Sequence, residues 1–256
     1  MKPITELTKE DIKDIKVVCF DVDGVTIKRG TQIIDKGDIQ TMKTVPLEEN
    51  ILNKLQELKK YYHVAINSGR STFYLIKVFA DLLWDNASLI SENGIFILYN
   101  GSLIQNFKFT EYELGVLKRV TKRLKDLSLK DSRAAGFEYK VFLLVLHCHE
   151  AIDGVEKIVG EEDKRGEFYC WWNGEAYDIC PKRFNKGVGL KKLCEYLGYT
   201  EKNAIAIGNG VNDKDMTDIA GIGITTDKVH LQSDYFVEGE HLGGEYLIDK
   251  LLELNK

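Results

Sequence analysis

Three short apolar runs constrain this 256-residue chain more than any other feature. Residues 16–21 (KVVCFD), 63–67 (HVAIN) and 204–207 (AIAI) are too brief for buried helices, and each leads into a polar turn. Runs of this kind, without polar alternation, suit parallel strands covered on both faces. Leu47, Ile51, Leu55 and Leu58 form a helical stripe between the first two runs, with Pro46 fitting the first helical position. The turn Ser68-Gly69-Arg70 and a helix over 71–83 follow the second run. A turn, a helix over 214–220, a strand over 222–225 and a terminal helix follow the third. That rhythm predicts an α/β fold with a doubly wound, Rossmann-like parallel-sheet core.

Two stretches break the rhythm. Residues 24–45 read as a long loop, with short strands around Ile33-Ile34. Residues 88–182 begin with strands over 95–98 and 103–107, joined at Asn100-Gly101, a two-residue hairpin signal. A long helix carries Leu114, Leu117, Val120, Leu124 and Leu127. A strand over 140–146, a helix over 151–159 and a hairpin turning at Asn173-Gly174 complete an αβαββ block. Residues 108–182 are thus expected to form a small α+β domain inserted into a core of residues 1–107 and 183–256. After it a helix over 188–197 is closed by Gly198.

With 44% hydrophobic residues the chain has ample material for a core, and disorder is excluded. A net charge of −5, with lysines dispersed over helix faces, is the wrong sign for holding nucleic acid. No apolar run approaches the roughly 20 residues of a membrane helix. Residues 1–16 are polar and acidic, unlike a signal peptide. Five cysteines without a C-x-x-C pair indicate neither a zinc ribbon nor a disulfide framework, and a cytoplasmic location is expected.

Four short segments carry candidate chemistry. Asp21-Val22-Asp23-Gly24 closes the first strand. It reads as a turn, or as two carboxylates at a strand's carboxyl end, where open α/β sheets bind ligands. An EF-hand is excluded, since its glycine belongs at the sixth position. Ser68-Gly69-Arg70 is a helix cap or a phosphate cradle at a helix N-terminus. Asn185-Lys186-Gly187 opens a helix with a cation, which is disfavoured there unless an anion lies nearby. Gly208-Asn209-Gly210-Val211-Asn212-Asp213 lacks the third glycine of a dinucleotide fingerprint, but offers Asp213 and an Asn209 amide oxygen as hard ligands of the kind magnesium prefers. No Walker A motif occurs. His147 and His149 alternate on a strand without an evident third metal ligand, and of the adjacent Trp171 and Trp172 one is expected to face the core of the block.

In this order and placement the four segments resemble the signatures of the haloacid dehalogenase superfamily. These are D-x-D-G (Asp21–Gly24), a Ser or Thr after the second strand (Ser68), a lysine (Lys186) and a segment that is usually G-D-x-x-N-D. Ser91-Glu92-Asn93-Gly94 and the insertion resemble the sugar-phosphatase branch with its type IIB cap. The resemblance implies a phosphatase acting on a small phosphorylated metabolite, a sugar phosphate or a phosphoglycolate-like acid, as a monomer or small homo-oligomer. It implies Asp21 as nucleophile, Asp23 as general acid and base, and Ser68, Lys186 and Asn212 on the phosphoryl oxygens, with Gly69 and Arg70 in the same cradle. It also implies Mg2+ held by Asp21, the Asp23 carbonyl, Asn209 and Asp213, with the inserted cap setting substrate selectivity. The family usually has an aspartate where this chain has Asn209, which predicts weakened magnesium affinity. A phosphomutase of the phosphomannomutase type and a non-catalytic binding protein are the alternative readings.

Overall fold

The computed structural model describes residues 1–35, 38–239 and 242–256. The chain divides into two compact units. The first comprises Met1–Gly30, Val45–Asn106 and Asn185–Lys256, and the second Thr31–Thr44 and Phe107–Phe184.

The first unit is built on Val17–Phe20, His63–Asn67 and Ala204–Gly208, the three apolar runs, each buried throughout. They lie side by side in a nine-stranded sheet. The strand order runs Lys2–Pro3, Tyr235–Phe236, Ile222–Thr225, Ala204–Gly208, Val17–Phe20, His63–Asn67, Ala87–Ser91, Phe96–Tyr99 and Ser102–Gln105. The first seven strands are parallel and the last two turn back antiparallel. The last turn is Asn100-Gly101, both at positive φ (48° and 75°), as a primed hairpin turn requires. Both sheet faces are covered. Val17, Cys19, Ala65, Ala204 and Ala206 pack with Leu190, Leu193 and Cys194 of the helix Lys186–Leu197, while Val18, Phe20, Val64, Ile66, Ile205 and Ile207 are equally buried on the other side.

The second unit has a four-stranded antiparallel sheet, ordered Phe168–Trp172, Ala176–Pro181, Leu144–Cys148, Ala134–Glu138. The helices Glu111–Ser128 and Gly154–Glu162 share one core with it, including Val116, Val120, Leu124, Leu146, Val155 and Ile179. Thr110 and Glu113 form a capping box at the start of the long helix. Trp172 packs on this core and Trp171 is exposed, as alternation along a strand demands.

Several boundaries differ from expectation. The stretch 24–45 carries the antiparallel pair Gln32–Asp35 and Gln40–Lys43, tied to the second unit's sheet by Gln40 Nε2 donating to the Phe137 carbonyl. Lys36 and Gly37, within the expected loop, lie outside the described residues. The helix expected from Pro46 begins at Glu49, with residues 44–48 outside any regular element and Glu48, itself extended, at the cap position. Ala134–Glu138 is a strand that periodicity missed: an Ala- and Gly-containing edge strand leaves little apolar signal. The unit is therefore αββαββ, and its second strand runs over Leu144–Cys148 rather than 140–146. His149 falls beyond that strand and past a register shift, so it does not align with His147. Among the described residues no helix is long and apolar enough to cross a membrane.

His63 makes the core of the first unit sensitive to acid. It is buried, with Nε2 2.7 Å from Ser88 Oγ, and burial together with the charge of Lys59 pushes its imidazole down from 6.5 to about 4. The unfolded chain thus binds a proton in this window that the folded chain refuses, and stability falls as pH drops from 6.5 towards 4. The full loss is on the order of 3 kcal/mol. His63→Gln keeps a polar partner for Ser88, and urea midpoints measured across the window are expected to flatten in this variant.

Candidate active site

Register brings the candidate residues together. Phe20 is level with Ile66 and Ile207, and Gly208 with Thr225, so the residues that follow these strands emerge at one edge of the sheet. Asp21 follows directly, its amide still donating to the Ile207 carbonyl at 3.0 Å. The chain then folds back: Gly24 N–H donates to the Ile27 carbonyl at 2.7 Å, and Thr26 Oγ1 caps the Asp21 carbonyl at 3.0 Å. Gly24 sits at φ +84°, a conformation that favours glycine.

Lys186 is the centre of the constellation. As the first residue of its helix it extends its ammonium between Asp21 Oδ1 and Asp213 Oδ1, 2.5 Å from each. All three side chains are buried, so this cation at a helix start is explained by its anions. The remaining Asp213 oxygen accepts from the amides of Asn209 and Gly210 at 2.8 and 2.9 Å. Burial, and then the charge of Asp213, push the Asp21 carboxyl up to about 7 against the pull of Lys186. Burial opposes the charge on Lys186, but the two carboxylates outweigh it and hold its ammonium above the usual lysine range.

Asp23 is gripped by a guanidinium. Arg70 Nε and Nη2 donate to its two carboxylate oxygens at 3.0 and 3.1 Å, a bidentate fork. Arg70, expected in the phosphoryl cradle, makes this fork to Asp23. Ser68 is buried at the end of its strand, and its Oγ accepts from the Arg70 amide at 3.2 Å. Gly69 lies against Asn93, where a Cβ would come within 3.1 Å of Oδ1. Asn212 is exposed in the short turn Val211–Asp213.

Three supports complete the site, of which the sequence marked only Ser91–Gly94, and that by resemblance alone. Asn67 Nδ2 donates to the Lys186 carbonyl at 2.8 Å, locking strand to helix, while its buried Oδ1 has no hydrogen-bond partner among the described residues. A polar residue ending an apolar strand was its only signal. Glu92, Asn93 and Gly94 occupy successive positive-φ positions, and the amides of Glu92 and Asn93 donate to the carbonyls of Arg70 and Ser68. A Cβ on Gly94 would lie 2.6 Å from the Gly189 amide nitrogen, so the loop touches helix backbone only because it ends in glycine. Arg29, beside Asn209, gave no sequence signal at all.

The buried Asp–Lys–Asp cluster and the Arg-held Asp23 thus lie at the carboxyl edge of a parallel sheet, where open α/β folds bind ligands. A family model described as haloacid dehalogenase-like hydrolase matches residues 118–230. A phosphoglycolate phosphatase of Methanopyrus kandleri is 27% identical over 205 residues, spanning 78% of this chain and 87% of that protein. One from Metallosphaera sedula is 24% identical over 209 residues, spanning 81% and 83%. Among solved structures, the Aspergillus fumigatus trehalose-6-phosphate phosphatase has a TM-score of 0.62 at 18% identity, covering 100% of this chain and 99% of that one. The C-terminal domain of the C. albicans trehalose-6-phosphate phosphatase gives 0.66 at 16%, covering 96% and 94%. In sequence over most of its length, and in fold, this chain is similar to haloacid dehalogenase-like hydrolases and to the phosphatases among them.

Phosphatases of this family generally use magnesium. The four residues proposed as its ligands do gather here, but their oxygens are otherwise engaged. Both Asp213 oxygens are taken by Lys186 and two amides. The Asp23 carbonyl accepts from Asn209 Nδ2 at 2.9 Å, and Asn209 Oδ1 accepts from Arg29 Nη2 at 3.3 Å. Among the described residues no three His, Cys, Asp or Glu side chains stand so as to hold a metal ion. Among these four residues the second oxygen of Asp21 and the second lone pair of the Asp23 carbonyl remain, a donor set poorer by a carboxylate than expected, because Lys186 and two amides already neutralise Asp213.

Proposed function

We propose that this protein hydrolyses the phosphate monoester of a small metabolite, a sugar phosphate or a phosphoglycolate-like acid, by nucleophilic catalysis from Asp21. The observation that carries the reading is Lys186, clamped between Asp21 and Asp213 where a phosphoryl group's charge needs a fixed counter-charge. An Asp21 oxygen attacks phosphorus as the bond to the leaving alcohol breaks, and Asp23 gives that alcohol its proton. The Asp23 carboxylate then takes a proton from water, whose oxygen attacks the aspartyl phosphate, releasing inorganic phosphate and restoring Asp21. Ser68, Gly69, Lys186 and Asn212 bind the phosphoryl oxygens. No step is routed through a metal. The names of the relatives, phosphoglycolate and trehalose-6-phosphate phosphatases, support the substrate class. Substrate choice is assigned to the inserted residues 108–182, and cytoplasmic action fits five free thiols.

The test is phosphate release from a panel of esters, phosphoglycolate and hexose phosphates included, with the carbon product identified. One small ester is expected to exceed the others clearly. Release from none, or return of the phosphate to another position of the sugar, would refute the reading.

Arg70 gives a sharper check on Asp23. Arg70→Ala frees the carboxylate from its fork, which should matter when the leaving alcohol needs a proton and little when it does not. For an alkyl phosphate kcat/KM is expected to fall about tenfold further than for p-nitrophenyl phosphate. An equal loss on both would show that Arg70 does not act through Asp23.

A further inference from the structure

The turn after the first strand and the loop after the fourth-signature strand meet in a contact that a metal site would not contain. Asn209 Nδ2 faces the Asp23 carbonyl and its Oδ1 faces Arg29. These partners fix the amide's orientation, because a carbonyl only accepts and a guanidinium only donates. The oxygen that could ligate a cation is thus turned to a cation already present. Arg29 reaches this place because the chain folds back between Gly24 and Ile27. Gly24 makes the room: a Cβ there would lie 2.7 Å from Asn209 Nδ2 and 3.2 Å from Arg29 Nε. Arg29 is exposed and, among the described residues, is bonded only to Asn209, so its other N–H groups can meet an incoming anion.

The charges balance. An aspartate at 209 with a bound divalent cation would bring one net positive charge to the Asp21–Gly24 turn. Asn209, neutral, with the Arg29 guanidinium brings the same. An arginine also offers the directional donors that a phosphoryl group's oxygens accept.

We propose that Arg29, held over Gly24 by Asn209, stands in for the divalent cation in this chain, so that phosphate esters are bound and cleaved without bound magnesium. The proposal rests on the phosphatase reading of the Asp21 site, and its test separates the two. The full-length protein is stripped with chelator, and Mn2+ binding is followed by electron paramagnetic resonance in the wild type and in Arg29→Gln/Asn209→Asp. The wild type is expected to bind only at millimolar Mn2+ or weaker, and the double variant at least about tenfold tighter, since a carboxylate replaces an amide and a competing cation is gone. Hydrolysis of p-nitrophenyl phosphate by the wild type is expected to be the same, within about threefold, in excess EDTA and in millimolar magnesium. Arg29→Gln in EDTA is expected to lose about tenfold, mostly in KM, with partial recovery in Arg29→Lys. Micromolar Mn2+ binding by the wild type, EDTA-abolished activity that magnesium restores, or an Arg29→Gln variant indistinguishable from wild type would each overturn the proposal. If no ester is cleaved under any condition, the hydrolytic reading fails, and the Mn2+ comparison still decides this one.

Discussion

Asp21→Asn is expected to abolish turnover, by at least about a thousandfold in kcat, while leaving a folded protein that still binds substrate. The amide has the carboxylate's shape, so Lys186 keeps a polar neighbour and its ion pair with Asp213. Stability should not suffer. In the folded protein the Asp21 carboxyl is pushed up to about 7 by burial and by Asp213, so its ionisation near neutral pH opposes folding. The neutral amide removes that burden, and the variant's thermal midpoint at pH 7 is expected to equal or exceed that of wild type. Acid-quenched wild type exposed to substrate should carry phosphate on the peptide containing Asp21, and the variant should not. More than a few per cent of wild-type kcat in the variant would rule out covalent catalysis from this residue.

Lys186→Met should do the opposite damage. It removes the ammonium 2.5 Å from both Asp21 and Asp213 and leaves two buried carboxylates facing each other. Breaking a buried pair by deleting one partner costs roughly 3–5 kcal/mol. Urea unfolding at pH 7 is expected to show a loss of that size, together with loss of activity. The loss should be largest on the alkaline side and shrink as pH falls through about 7, because the Asp21 carboxyl, pushed up to about 7 even with Lys186 pulling it down, takes a proton more readily without it. Asp213→Asn added to Lys186→Met should recover part of the stability at pH 7. A deficit independent of pH and unmoved by the second substitution would mean that the clamp is not what holds this edge together.

The parts of this fold legible in the sequence are those in which one physical rule acts alone. Val17–Phe20, His63–Asn67 and Ala204–Gly208 are apolar throughout because both sheet faces are covered, and nothing but a parallel strand explains them. Lys186 was legible because a helix start repels a cation, so an anion had to be near. Ala134–Glu138 was not, since an edge strand needs no apolar alternation to pair. The partners of Arg70 and Asn209 were illegible for a different reason. An arginine's fork fits a substrate's anion and Asp23 equally well, and an amide can present oxygen or nitrogen. Only the neighbours decide, and for Asn209 the neighbour was Arg29, 180 residues away in the chain.

The strand Val17–Phe20 pairs on one side with His63–Asn67 and on the other with Ala204–Gly208. Between the second and third of these the chain completes most of an entire additional unit, with its own core. During synthesis from the N-terminus, one flank of Val17–Phe20 therefore waits with its backbone donors and acceptors unpaired until residue 204 emerges. Pairing across that separation costs loop entropy before its contacts are gained, so this strand pair adds the long-range contacts that slow folding relative to local helices. Lys186 and Asp213 also arrive late, flanking Ala204–Gly208 in the chain. The Asp21–Lys186–Asp213 cluster is thus among the last features to form, and a nascent chain with a finished inserted unit and half a sheet has an open edge on which neighbouring chains can aggregate.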